Sequence, residues 1–193
     1  MDERDLVKFY ASALQARGFW TVVEYNIYAG LGRDASLRYR YGVGYKGLEP
    51  PPHLGQPTID LLYGPVRGGR WCLPMTACEF KYFRSSRGLS YYAGLDEALA
   101  LLTYGVDKVK LIHLIDRKAW RDDRIKTYPD AMFILITLLR LPIGFETYLV
   151  DETGIFQELE ETWIEPPQNP LLEEDFVKKT RKFIIKDLAL SGE

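Results

Sequence analysis

Apolar positions fall at helical spacing from the start of the chain: Leu6, Phe9, Tyr10, Ala13 and Leu14 mark one buried stripe over residues 3–17. Gly18 stands where a left-handed residue closes a helix. From Phe19 the pattern turns β-branched and aromatic, which predicts a strand over 19–29. Residues 30–57 are rich in Gly, Tyr, Arg and Pro without periodicity, and read as a long loop or irregular hairpin, a length that usually serves function. A compact series follows: a strand at 58–63, a turn at 64–69, a longer strand at 71–83 with Pro74 near its start, and a helix at 89–104. That helix would bury Tyr92, Leu95, Leu99 and Leu102 and end at Gly105. A strand at 108–115, a buried helix at 129–140 and a strand at 145–150 come next. PPQNP at 166–170 then separates a helix at 171–187, with Leu172, Phe176, Phe183 and Ile184 on its face. The order helix, strand, strand, strand, helix, strand, with additions, is that of an α/β domain with a central mixed sheet flanked by helices.

Composition narrows the class. With 193 residues, 47% of them hydrophobic and 27% charged, the chain can bury a core as one domain, which excludes disorder as its main state. Two cysteines cannot build a disulfide framework. The N-terminal segment is charged from Asp2, and the most apolar run, 131–143, holds Arg140 and Pro142 and falls short of the ~20 residues of a membrane helix. The expectation is an intracellular protein with no membrane partner and with Cys72 and Cys78 reduced. A net charge of −2 hides an asymmetry: residues 31–88 hold nine Lys/Arg against four acids, whereas 151–175 hold nine acids and no Lys or Arg. The first half can present a basic face to a polyanion. The acidic stretch reads as a solvated face, a shield against DNA, or a surface for a basic partner.

Carboxylates within strands are the unusual feature. Glu24 lies in TVVEYNI, Asp60 in TIDLLY and Glu79 in ACEFKYF, and burying an unpaired charge is costly, so the three call for a shared neutraliser. A divalent cation is the simplest, since carboxylate oxygens are the ligands Mg²⁺ prefers. Glu79 and Lys81 are two apart and share a strand face, with Cys78, Phe80 and Tyr82 on the other. A hairpin between the two strands would let Asp60 reach Glu79. Such a constellation suits metal-assisted phosphodiester hydrolysis: Asp60 and Glu79 hold the cation, and Lys81 orients or deprotonates the attacking water or stabilises developing charge.

At these residues the chain resembles the PD-(D/E)xK nuclease superfamily. Pro57-Thr58-Ile59-Asp60 is followed after 18 residues by Glu79-Phe80-Lys81, then by a helix and the strand at 108–115, so the likeness spans about residues 3–116. Pro and Asp are not adjacent, a common departure in the family. The resemblance implies a restriction-endonuclease-like core, related in kind to restriction endonucleases and Holliday-junction resolvases, with residues 117–193 as additions. It implies Mg²⁺-dependent cleavage of nucleic acid, with Mn²⁺ as a substitute, and an additional acid near the first helix or strand, a region in which Glu24 falls. A homodimer is plausible by analogy alone.

Other readings stand beside these. Glu79 and Lys81 also read as a surface pair on an edge strand, and Glu24 as a solvent-facing residue. Asp116-Arg117-Lys118 fits the same short motif but reads as a solvated turn after a strand. Arg33, Arg38 and Arg40, interleaved with Tyr39, Tyr41 and Tyr45, read either as a loop gripping phosphates and stacking on bases or as a polar loop. Arg84 and Arg87 follow the motif strand and are placed to contact backbone phosphate. The expected partner is DNA, whether duplex, single-stranded or branched; the rival reading is a nucleic-acid-binding or assembly protein on the same fold without cleavage. His53 and His113 lack metal-ligand spacing, and His113 reads as a core residue. The phosphate-binding loop G-x-x-x-x-G-K-[ST] and the serine nucleophile elbow are absent from the sequence.

Overall fold

The structure, a computed structural model, describes residues 1–26, 58–85, 92–154, 156–158 and 162–191. Helix α1 (Glu3–Ala16) begins at a reciprocal cap: Asp2 accepts from the Asp5 amide and the Asp5 carboxylate accepts from the Asp2 amide. It buries Leu6, Val7, Ala11 and Leu14, a stripe rotated from the expected one. Phe9, 48% exposed, instead lies over the turn at Gly154, and Ala13 is exposed. Gly18, at φ +85°, turns the chain into β1 (Phe19–Asn26).

Strand β2 (Thr58–Arg67) runs through the expected turn, which shrinks to Gly68 and Gly69 before the two-residue β3 (Arg70–Trp71). Gly64 is part of the strand because nothing larger fits: a Cβ there would stand 2.7 Å from the Pro74 carbonyl oxygen and from the Trp20 ring. Gly64→Ala is therefore expected to cost about 2 kcal/mol by overpacking, read as a lower urea midpoint. The long strand expected over 71–83 is interrupted, because Pro74 has no N–H to give a ladder; it resumes as β4 (Thr76–Phe83).

Helix α2 (Leu95–Leu101) starts later than its apolar spacing predicts. Gly94 is left-handed at φ +78°, so the helix cannot include it, and Tyr92 is 61% exposed rather than core. A 3₁₀ turn (Leu102–Tyr104) and Gly105, at φ +80°, end the helix as expected and lead to β5 (Lys108–Asp116). Helix α3 (Asp123–Leu138) starts six residues before its expected position, because the Asp122 side chain caps it by accepting from the Arg124 amide. Its inner face is Ile125, Tyr128, Met132 and Ile136, while Ile134 and Leu138 face outward. After β6 (Gly144–Val150) comes β7 (Phe156–Glu158), an unforeseen strand inside the acidic stretch. Helix α4 (Asp175–Asp187) buries Val177, Thr180 and Ile184.

Among the described residues, six strands lie in the order β1-β2-β4-β5-β6-β7, with β3 paired to β2 off this path. The sheet is mixed: β4, β5 and β6 are parallel to one another and the other pairings are antiparallel. Crossovers between the parallel strands carry α2 and α3, which pack with α4 on one face, and α1 covers the other. Central strands buried on both faces read as nearly continuous apolar runs, as β5 and β6 do. Among the described residues, no helix is long and apolar enough to cross a membrane.

Alternation fails at one place in two strands together. Phe19 and Val23 belong to the α1 face and Trp20 and Val22 to the other, yet Tyr25 joins Trp20's cluster. In β2, Leu61 and Tyr63 face α1 while Ile59, which should follow them, lies on the opposite side. The break falls at Glu24, whose φ is +54°, and at Asp60, the residue across from it in the register.

Candidate active site

The β2–β4 ladder stops at Leu61↔Cys78 although both strands continue, so the sheet forks there. Asp60 and Glu79 are the next residues along the two strands beyond the last pair, and the two carboxylates are near enough for Asp60 to repel Glu79. Past the fork the β4 amides that point toward β2 have no strand to meet, and a buried amide needs an acceptor. Carboxylates supply it: Asp60 Oδ2 accepts from the Phe80 amide at 2.8 Å, and Glu3 Oε2 from the Tyr82 amide at 2.6 Å.

Alternation along β4 then sorts the motif. Phe80 packs edge-to-face on Tyr10 of α1, with ring centroids 5.4 Å apart, whereas Glu79 and Lys81 face α2. The Lys81 stem lies so close over Gly94 that a Cβ there would come within 2.8 Å of it. Its ammonium donates to Glu79 Oε1 at 2.7 Å and pairs with Glu97 Oε2 of α2 at 2.5 Å. Glu79 is buried and Glu97 half exposed. The opening beside Lys81 is a depression of about 600 Å³, with Tyr92 and Glu97 in its lining.

Charge in this cluster is out of balance. Burial, followed by repulsion from Asp60, pushes the Glu79 carboxyl up to about 8 against the pull of Lys81. Burial, helped by the charges of Glu3 and Glu97, pushes Asp60 up to about 6 even though the Phe80 amide and Lys81 favour its ionised form. Burial also disfavours the Lys81 ammonium, but Glu79 and Glu97 outweigh it and hold the amine protonated well above the ordinary lysine range. Among the described residues, one fixed cation thus serves four carboxylates.

A hard divalent cation fits that donor set, since every available ligand is a carboxylate oxygen and the excess charge is negative. Among the described residues, no group of three or more His, Cys, Asp or Glu side chains is gathered tightly enough to hold a metal ion. Asp60 and Glu79 are a two-carboxylate set of the kind Mg²⁺ completes with waters and substrate oxygens.

The remaining sequence candidates divide. Glu24 is exposed and its carboxylate is held by Arg4 of α1 at 2.5 Å. Arg84 is exposed, donates to the Met1 carbonyl and lies over the Tyr82 ring, 5.1 Å from its centroid. Arg33, Arg38, Arg40 and Arg87 lie outside the described residues. The competing triplet is a turn: Asp116 accepts from the Lys118 amide, and Lys118 pairs with Glu152 at the surface. His113 is a core residue as expected, fully buried with Nε2 3.1 Å from the Ala93 carbonyl oxygen, and burial lowers its pKa to about 3. Cys72 and Cys78 are free and buried.

Two participants were not singled out by the sequence. Glu3, in the first turn of α1, reads there as an ordinary favourable charge at a helix N-terminus, and only the fold brings it to the Tyr82 amide. Glu97, in the first turn of α2, holds Lys81.

No family model matches the chain, and no curated protein and no solved structure matches it either.

Proposed function

We propose that this chain is a divalent-metal-dependent nuclease of the PD-(D/E)xK type, with a restriction-endonuclease-like core, hydrolysing phosphodiester bonds in DNA. The observation that carries the reading is the fork between β2 and β4, where the Asp60 and Glu79 carboxylates are near enough to repel each other and Lys81 donates to Glu79. Asp60 and Glu79 are the residues that would hold Mg²⁺ or Mn²⁺, and the ion when bound supplies Lewis-acid polarisation of the phosphate. Lys81, held protonated by Glu79 and Glu97, acts as a donor and a fixed positive charge: it orients water and stabilises charge developing on the phosphoryl oxygens. Glu97 keeps the ammonium in place, and Glu3 with Asp60 keeps β4 from closing onto β2.

Purified protein incubated with labelled single-stranded, duplex, flapped and four-way-junction DNA is expected to cleave at least one of them in Mg²⁺ or Mn²⁺, and chelation is expected to stop it. Lys81→Ala should lower the rate by about 100-fold, the effect of removing one preorganised charge at a developing anion. Asp60→Asn and Glu79→Gln should abolish it. Undiminished cleavage by these variants would overturn the assignment, and DNA binding without cleavage would favour a binding or assembly role on the same fold.

A further inference from the structure

A cleft of about 310 Å³ lies on the opposite face of the sheet from Lys81, bordered by α1, the sheet and the segment carrying Trp163. At its base are two charged side chains that a sheet face rarely buries: Glu146, 1% exposed, and Lys110, 8% exposed. Glu146 is saturated. Its Oε2 accepts from the hydroxyls of Tyr10 and Tyr148, each at 2.9 Å, its Oε1 accepts from Lys110, and the Trp163 side chain donates as well. Lys110 is not: an ammonium carries three donors, and its described partners are that one carboxylate and the Trp163 ring, 6.0 Å from Nζ to centroid.

Two further cations line the cleft, Lys108 and Arg17, and neither is ion-paired with any described residue. Glu165 at the exposed rim is the only other described acid in the lining, so the cleft carries net positive charge with an aromatic wall. A buried ion pair is a poor source of stability, and a pair with spare donors beside an open, aromatic-walled cleft has the make-up of a ligand site.

We propose that this cleft binds a small planar molecule carrying one anionic group, a carboxylate or a phosphate ester, with the ring against the aromatic wall and the anion at Lys110. The site shares no residue with the Asp60–Lys81 cluster and does not depend on the cleavage reading.

The test is titration of the full chain, without metal, with phenyl phosphate and with benzoate, following heat and the Trp163 indole resonance. Benzyl alcohol supplies a ring without charge and inorganic phosphate a charge without a ring. At least one ring anion is expected to bind below about 10 mM, and about tenfold more tightly than either control. The tighter of the two identifies the anion. Trp163→Ala and Lys108→Ala, both away from the buried core, should each weaken binding about fivefold, and Lys81→Ala should leave it unchanged. The proposal is overturned if neither ring anion binds, if benzyl alcohol binds as tightly as the anions, or if both cleft variants bind like the wild type.

Discussion

Glu79→Gln is expected to make the protein more stable than the wild type at pH 9 without divalent cations, while removing the proposed activity. The Glu79 carboxyl titrates near 4.5 in an unfolded chain and near 8 in the folded one. Between those values the folded state holds a proton that the unfolded state has released. Wild-type folding free energy is therefore fully free of this penalty below about pH 4.5, and it declines as pH rises through about 8. Asp60 adds the same sign between its ordinary value of 3.8 and about 6. At 1.36 kcal/mol per pKa unit, and with part of the shift shared between the two carboxylates, the gain for Gln is about 2–4 kcal/mol. Urea unfolding at pH 5, 7 and 9 measures it: the wild-type midpoint should fall across the series, and that of Glu79→Gln should fall much less. Equal slopes would show that Glu79 is not held in a charge-starved site. Millimolar Mg²⁺ should raise the wild-type midpoint at pH 9 and leave the variant nearly unmoved, because a ligand stabilises only the state that binds it.

That prediction turns on a feature the sequence made partly legible. Glu79 and Lys81 were readable because a two-residue period fixes their shared face whatever the tertiary context. That Asp60 and Glu79 lie on neighbouring antiparallel strands was readable from hairpin order, although the ladder between those strands is short and ends before it reaches them, at Leu61↔Cys78. Apolar spacing carried β2 only to Tyr63, whereas Gly64 belongs to the strand for lack of room under Trp20. Helix α2 was over-extended because Tyr92 fits its stripe, and the left-handed Gly94 that excludes Tyr92 has no periodic signature. Glu24 was readable as a strand acid by position, but its positive φ and its pairing with Arg4 have no signature in the apolar pattern. The acid that does reach β4, Glu3, is indistinguishable in sequence from any helix-start carboxylate. Lys110 and Glu146 were silent for a similar reason: each looks like the polar member of an alternating strand, and only the covering by α1 turns that polar face inward.

The same covering makes the second large prediction. Glu146→Leu alone should destabilise the protein by about 3–5 kcal/mol, because it leaves the Lys110 ammonium buried without its carboxylate. Replacing both, as Lys110→Met with Glu146→Leu, should recover at least half of that loss, since a buried pair exchanged for apolar side chains of similar volume is often close to neutral. Urea midpoints for the two singles and the double form the cycle, and additive losses would show that the two side chains do not depend on each other. The pH signature should also be opposite to that of Glu79. Burial works to raise the Glu146 carboxyl, but the Lys110 charge and the donated hydrogen bonds outweigh it and hold it below the ordinary value of 4.5, so its contribution is present above that value and is lost as pH falls beneath it. One face of the sheet therefore loses stability toward alkaline pH and the other toward acid. Removing Glu79 should extend stability upward in pH, and removing the Lys110–Glu146 pair should flatten the acid limb. That separation ties each limb of the wild-type profile to one face: the alkaline limb to a site starved of positive charge, the acid limb to one already supplied with it.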